Sequence, residues 1–155
     1  MQPFPHVYRV SANGATDGIL ELSSEGLPTM TAVAPKEFDG PGDRWSPESL
    51  LVGAVASCFL LTFVAVARAS KLEWQSLECS VDGTLDRVER TTQFTKFVTR
   101  ARLRVGADAN EALCRRVLEK AEQGCLIANS LKASRALEIE IVRSEAPRSA
   151  DGRFS

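Results

Sequence analysis

The sequence predicts an α+β fold, and three features carry that expectation. Residues Leu50 to Ala67 are 18 consecutive uncharged residues opened by a helix-start signal. On either side of them the apolar residues alternate with period two, as strands do. A second helical stripe follows, with Leu113, Val117, Ala121 and Cys125 at i, i+4 spacing. There is no repeat and no linker, so residues 1–146 are expected to form one domain, with 147–155 a disordered tail.

Taken in order, His6–Val10 reads as a short strand, and Asn13-Gly14 and Asp17-Gly18 are turn signals. Ile19–Leu22 and Thr29–Ala34 are further strands, separated by the turn Glu25-Gly-Leu-Pro28. Asp39–Asp43 is a loop. Ser46 then offers an N-cap, Pro47 the favoured first helical position, and Glu48 a carboxylate at the positive end of the helix. After Ser70, Leu77–Leu85 alternates as a strand, Asp86–Thr92 reads as a polar hairpin loop, and Phe97–Val105 alternates again with Lys96, Arg100, Arg102 and Arg104 opposite. The second helix begins near Asp108 or Asn110 and is broken or bent at Gly124. Ala136–Val142 is the last strand.

Several function classes fall away on composition. A net charge of −1 supplies no field for nucleic acid or a membrane surface. The single histidine, His6, excludes a multi-histidine metal site, and no Cys-x-x-Cys occurs among Cys58, Cys79, Cys114 and Cys125. No metal and no cofactor are expected. Basic residues on one strand face with few aromatics between them are a solvated face rather than a nucleic-acid platform. The opening Met1–His6 lacks a basic region followed by an apolar core, so a cytoplasmic, reducing compartment with free thiols is expected. The 18-residue apolar run is long enough to span a bilayer. Gly53, Ser57, Cys58 and Thr62 in its middle, and the charges closely flanking it, favour the buried centre of a globular fold instead.

Cys58 lies in the middle of that run and Cys125 at the end of the second helix. Chemistry on a thiol needs thiolate character, a polar or cationic neighbour and access for the oxidant. Taken alone, each of the four cysteines also fits a small buried hydrophobe, and for Cys79 and Cys114 nothing in the surrounding sequence suggests more.

The segment Ser46-Pro-Glu-Ser-Leu-Leu-Val-Gly-Ala-Val-Ala-Ser-Cys-Phe59 resembles the OsmC/Ohr family of thiol-dependent hydroperoxide reductases, in which Pro-Glu-x-Leu-Leu is followed, after small residues, by Ala-x-Cys. Ala121-Glu-Gln-Gly-Cys125 resembles the family's second cysteine motif, and the order of elements agrees over about residues 6 to 143. The OsmC-like branch fits better than Ohr proper. The resemblance implies two antiparallel sheets around a long buried central helix, in an intertwined homodimer. It implies that Cys58 is the peroxidatic and Cys125 the resolving cysteine, and that Glu48 holds an arginine at the site. The activity implied is reduction of organic hydroperoxides, and of hydrogen peroxide, with an external thiol or dithiol as reductant.

Glu48 and Cys58 are ten residues apart on one helix, about 15 Å along its axis, which a glutamate cannot span. A shared site therefore draws on two chains. Neither place where family members carry an arginine holds one here: Ala15–Gly18 and Lys36–Phe38 stand there. Arg44 is the nearest substitute, with Lys36 and Arg9 behind it. Proline, which follows the second cysteine in many members, is replaced by Leu126. An OsmC-like domain without peroxidase activity, binding a small apolar ligand or a partner, is the alternative these departures leave open.

Overall fold

The computed structural model describes residues 1–145, so the expectation for 147–155 lies outside the described residues. The chain divides into two compact units, Met1–Leu51 and Val52–Ser155.

In the first unit β1 (Ser11–Gly14), β2 (Leu20–Ser23) and β3 (Met30–Ala32) form an antiparallel meander. The expected strand at His6–Val10 is not formed. Pairing begins at Ser11 because β2 offers partners only from Leu20 to Ser23, and Gly14 to Ser11 take them. The turn accordingly falls on Ala15–Gly18, with Gly18 at φ +77° and its N–H donating to the Ala15 carbonyl at 3.1 Å. Beyond β3 the Val33 N–H donates to the Trp45 carbonyl at 2.9 Å, which brings the chain back to the start of α1 (Pro47–Ala69).

That start is capped as expected. Ser46 Oγ accepts from the Ser49 N–H at 3.1 Å, and Ser49 Oγ accepts from the Ser46 N–H at 2.9 Å. This is a reciprocal capping pair with serine in the position usually held by glutamate.

The second unit carries the rest of α1, β4 (Ser76–Val88), β5 (Thr91–Val105), α2 (Glu111–Gly124), α3 (Leu126–Asn129) and β6 (Ser134–Arg143). Its sheet has the order β4-β5-β6. β4 and β5 are antiparallel, as expected, but β5 and β6 run parallel. The reason is the connection: the chain between β5 and β6 contains α2 and α3, and a helical crossover returns the strand in the same direction.

The expected loop Asp86–Thr92 shrinks to Glu89 and Arg90, with strand on both sides. Both residues hold positive φ, 48° and 69°, the geometry of a two-residue hairpin turn. Neither residue is glycine or asparagine, so composition concealed the turn.

The covered face of the sheet presents Phe97, Thr99, Ala101, Leu103 and Val105 from β5, all buried. α1 contributes Val55, Phe59, Phe63 and Ala67, and α2 contributes Cys114, Val117, Leu118 and Ala121. The α2 stripe thus turns through Cys114 and Leu118, while Leu113 is only half-buried. α1 is buried on this one stripe rather than all round. Ser57, Leu61 and Ala65 on another face are exposed, Leu61 to 68%. By length and composition α1 alone, among the described residues, could cross a membrane.

On the outer face Arg100 pairs with Asp82 at 2.5 Å and Glu138 at 2.9 Å, and Arg102 pairs with Glu78 at 3.8 Å and Glu140 at 3.5 Å. Arg100 and Arg102 are thus each bracketed by carboxylates from both neighbouring strands. A hollow of about 500 Å³ on this side is lined by Glu78, Ser80, Arg100, Arg102, Glu138 and Glu140 among others; Cys58 and Cys125 do not line it.

Candidate active site

α1 carries Cys58 one residue before the buried Phe59, so its thiol sits at the edge of the packed stripe and is half-buried. Cys125 lies in the one-residue break between α2 and α3, where it serves as N-cap of α3, and it is completely buried. α2 ends there because Gly124 gives way to an extended residue, with Cys125 at φ −66°, ψ 99°. The bend turns the first N–H groups of α3 back toward α1. Gly124 also keeps the approach open, since a Cβ there would stand 3.3 Å from Thr62 Cγ2.

The structure thus brings the two predicted cysteines together. Both thiols are free. Burial alone would push the Cys58 thiol up. The N–H of Ile127, the Cys125 thiol, the Thr62 hydroxyl and the N–H of Leu126 together outweigh burial and hold it below the ordinary thiol value of 9.0. Cys125 moves the other way. Burial chiefly raises it, the Ala128 N–H opposes this, and its own donation to Cys58 and the negative charges of Cys58 and Glu122 raise it further. Of the two sulfurs, the half-exposed one therefore gives up its proton the more readily. The Cys125 thiol also faces the Val55 carbonyl at 3.9 Å.

The Thr62 hydroxyl donates to the Cys58 carbonyl at 2.7 Å and reaches the sulfur as well. The signal was the i, i+4 spacing of a hydroxyl from a cysteine on one helix. The Leu126 and Ile127 N–H groups have no sequence signature at all. The groups that lower Cys58 are hydrogen-bond donors.

The other predicted residues belong to the first unit. Arg44 pairs with its neighbour Asp43 at 3.7 Å. Lys36 sits in a 3₁₀ turn, Lys36–Phe38, with its side chain against Gly42, and Arg9 precedes β1, its carbonyl accepting from Ser24 Oγ. Glu48 is in the first turn of α1. Its Oε2 is buried and, among the described residues, without a hydrogen-bond partner.

Cys79 points from β4 to the covered face. Burial first, then the charges of Cys125 and Glu122, push it up to about 11, so it stays protonated at neutral pH. Cys114 is buried on α2 and is likewise raised, chiefly by burial. Both fit packing roles. No group of three or more metal-ligating side chains occurs among the described residues.

A sheet crossed by a long apolar helix, with a cysteine mid-helix and a second at a bend facing it, defines a class of small thiol proteins. Residues 40–140 match the OsmC-like protein family, and the chain belongs to it. It is 29% identical over 140 residues to the uncharacterized protein YmaD of Bacillus subtilis, covering 87% of this chain and 93% of that one. An OsmC-like protein of unknown function from Vibrio cholerae superposes with a TM-score of 0.79 at 20% identity, covering 87% of this chain and 99% of that one. An organic hydroperoxide resistance protein OsmC from Legionella pneumophila superposes with a TM-score of 0.71 at 19% identity, over 90% and 98%. These likenesses establish the OsmC-like fold.

Proposed function

We propose that this chain is a thiol-dependent peroxidase that reduces organic hydroperoxides and hydrogen peroxide, with Cys58 as nucleophile and Cys125 as resolving thiol. The observation that carries the reading is the opposed environment of the two sulfurs: Cys58 half-exposed on α1 and held below its ordinary value, Cys125 fully buried at the α2–α3 bend and held above it. The Cys58 thiolate attacks the outer peroxide oxygen and forms an S–O bond. The O–O bond breaks, and the departing alkoxide takes up a proton and leaves as alcohol, or as water from hydrogen peroxide. The Cys125 sulfur then displaces hydroxide from the sulfenic acid, giving a disulfide and water. An external thiol or dithiol returns two electrons and two protons to restore both thiols.

The apolar neighbours Val55, Phe59 and Leu61 favour organic peroxides over polar ones. The same reading makes the chain a cytoplasmic homodimer acting in oxidative-stress defence. Residues Glu48 and Cys58 lie about 15 Å apart along the unbroken α1, so a carboxylate serving Cys58 comes from a second chain. Glu48 Oε2, without a partner among the described residues, is suited to a cation, for which Arg44 is the first candidate and Lys36 or Arg9 the weaker ones.

The test is mass spectrometry after one equivalent of cumene hydroperoxide, paired with turnover of the Cys58→Ser chain. A Cys58–Cys125 disulfide in the native chain and no peroxide reduction by the variant are expected. Undiminished reduction by Cys58→Ser would remove the mechanism. One observation favours a second reading, a domain without peroxidase activity that binds an apolar ligand or partner: the groups that lower Cys58 include no cation. That reading predicts slow Cys58 alkylation at neutral pH.

A further inference from the structure

Arg135 occupies a place in β6 where the strand pattern calls for an apolar side chain. It lies in the same row as Leu137, Ile139 and Ile141, on the covered face, and its register partner on β5 is the buried Phe97. A guanidinium in such a row is tolerated only where its donors find acceptors. Its Nε donates to Glu122 Oε1 at 2.7 Å, its Nη1 to Asn129 Oδ1 at 2.6 Å, and its Nη2 to the Glu122 carbonyl.

These acceptors stand on opposite sides of Cys125, one in the last turn of α2 and one at the end of α3. Asn129 adds a return contact, its Nδ2 donating to the Gln123 carbonyl at 3.0 Å. α3 is a single turn of four residues, too short to hold its own shape without outside support. The bend it forms with α2 is what presents Cys125 and two N–H groups to Cys58.

We infer that Arg135 is a positioning residue: by tying Glu122 to Asn129 across the Cys125 bend, its planar fork fixes the direction in which Cys125 and the Leu126 and Ile127 N–H groups face the Cys58 sulfur. The inference rests on Cys58 being the reactive thiol of the site proposed above. Arginine suits the task because one rigid group spans acceptors on two elements, which a lysine ammonium does not. Glu122, held in place by the same contacts, puts its negative charge near Cys125 and so helps keep the proton there.

The test uses the full chain carrying Arg135→Gln or Arg135→Lys. Alkylation of Cys58 by iodoacetamide is followed from pH 5 to 10, with the label located by mass spectrometry and the fold monitored by circular dichroism. For a folded Arg135→Gln chain the alkylation midpoint is expected to rise by about one pH unit, so that labelling well below the midpoint slows about tenfold. Arg135→Lys is expected to recover only part of the shift. If Arg135 merely stabilises the fold, its substitution lowers the melting temperature and leaves the midpoint where it was, and that result overturns the inference. Should Arg135→Gln fail to fold, Asn129→Ala removes both contacts of that side chain, to Arg135 and to the Gln123 carbonyl, and leaves the ion pair; an upward shift there supports the clamp, and an unchanged midpoint overturns it. Alkylation is read independently of turnover. A shifted midpoint in a chain that reduces no peroxide keeps the clamp and sinks the peroxidase reading. Cys58-dependent reduction with a midpoint indifferent to Arg135 does the reverse.

Discussion

Thr62→Val tests the account of Cys58 most directly. The substitution keeps the β-branch that fits this helix and keeps a methyl group against Gly124, while removing the one hydroxyl that reaches the Cys58 sulfur. A hydrogen bond to a charged acceptor is worth about 1.5–3 kcal/mol. The Thr62 proton is shared between the sulfur and the Cys58 carbonyl at 2.7 Å, so the lower end of that range applies. About 1.4 kcal/mol is one pKa unit. The Cys58 value should therefore rise by about one unit, and the thiolate fraction well below the midpoint should fall about tenfold.

The sign for stability follows from the same shift. Because folding lowers Cys58 below 9.0, its ionisation stabilises the fold fully above that pH, and the contribution fades as pH falls through the lowered value. Thr62→Val narrows that window. The assay is the pH profile of iodoacetamide labelling at Cys58, with circular dichroism to confirm an intact helix. A midpoint that stays in place or moves down would refute the role given to the hydroxyl.

Four further outcomes are expected. Cys125→Ser should leave the first peroxide turnover intact but stop resolution, so that mass spectrometry finds Cys58 as sulfinic or sulfonic acid instead of a disulfide. Cys79, pushed up to about 11, should label far more slowly than Cys58 at pH 8; comparable rates would contradict its burial beside Cys125 and Glu122. Gly83→Ala should destabilise the chain by about 1–3 kcal/mol in urea unfolding, because the new Cβ would stand 2.8 Å from Val52 Cγ2 and 3.0–3.1 Å from the Phe94 and Phe97 rings. Leu61→Glu places a charge on the exposed face of α1 and should shift the proposed dimer toward monomer in size-exclusion chromatography, with helix content unchanged.

Elements whose signals are local were legible in the chain alone. Ser46 and Pro47 announced α1, Asn110 capped α2, and period-two alternation marked β4, β5 and β6, because caps and pleats are set by neighbours in the chain. The two cysteines and their motifs were legible for the same reason. What composition hid was the Glu89-Arg90 turn, where two ordinary residues take positive φ because the flanking strands over-determine it.

Which sulfur ionises the more readily was not legible in the chain and depends on its folded surroundings. That choice depends on donors brought from three places: a hydroxyl one turn along α1, a thiol at the α2–α3 bend, and backbone N–H groups that every residue but proline possesses and no sequence pattern singles out. The tertiary structure also turned Arg135 from a charge at the margin of a strand into the group that holds the bend. The ends of α2 and α3 meet β6 through the fold alone, since an ion pair between residues 122 and 135 has no helical or strand periodicity to announce it.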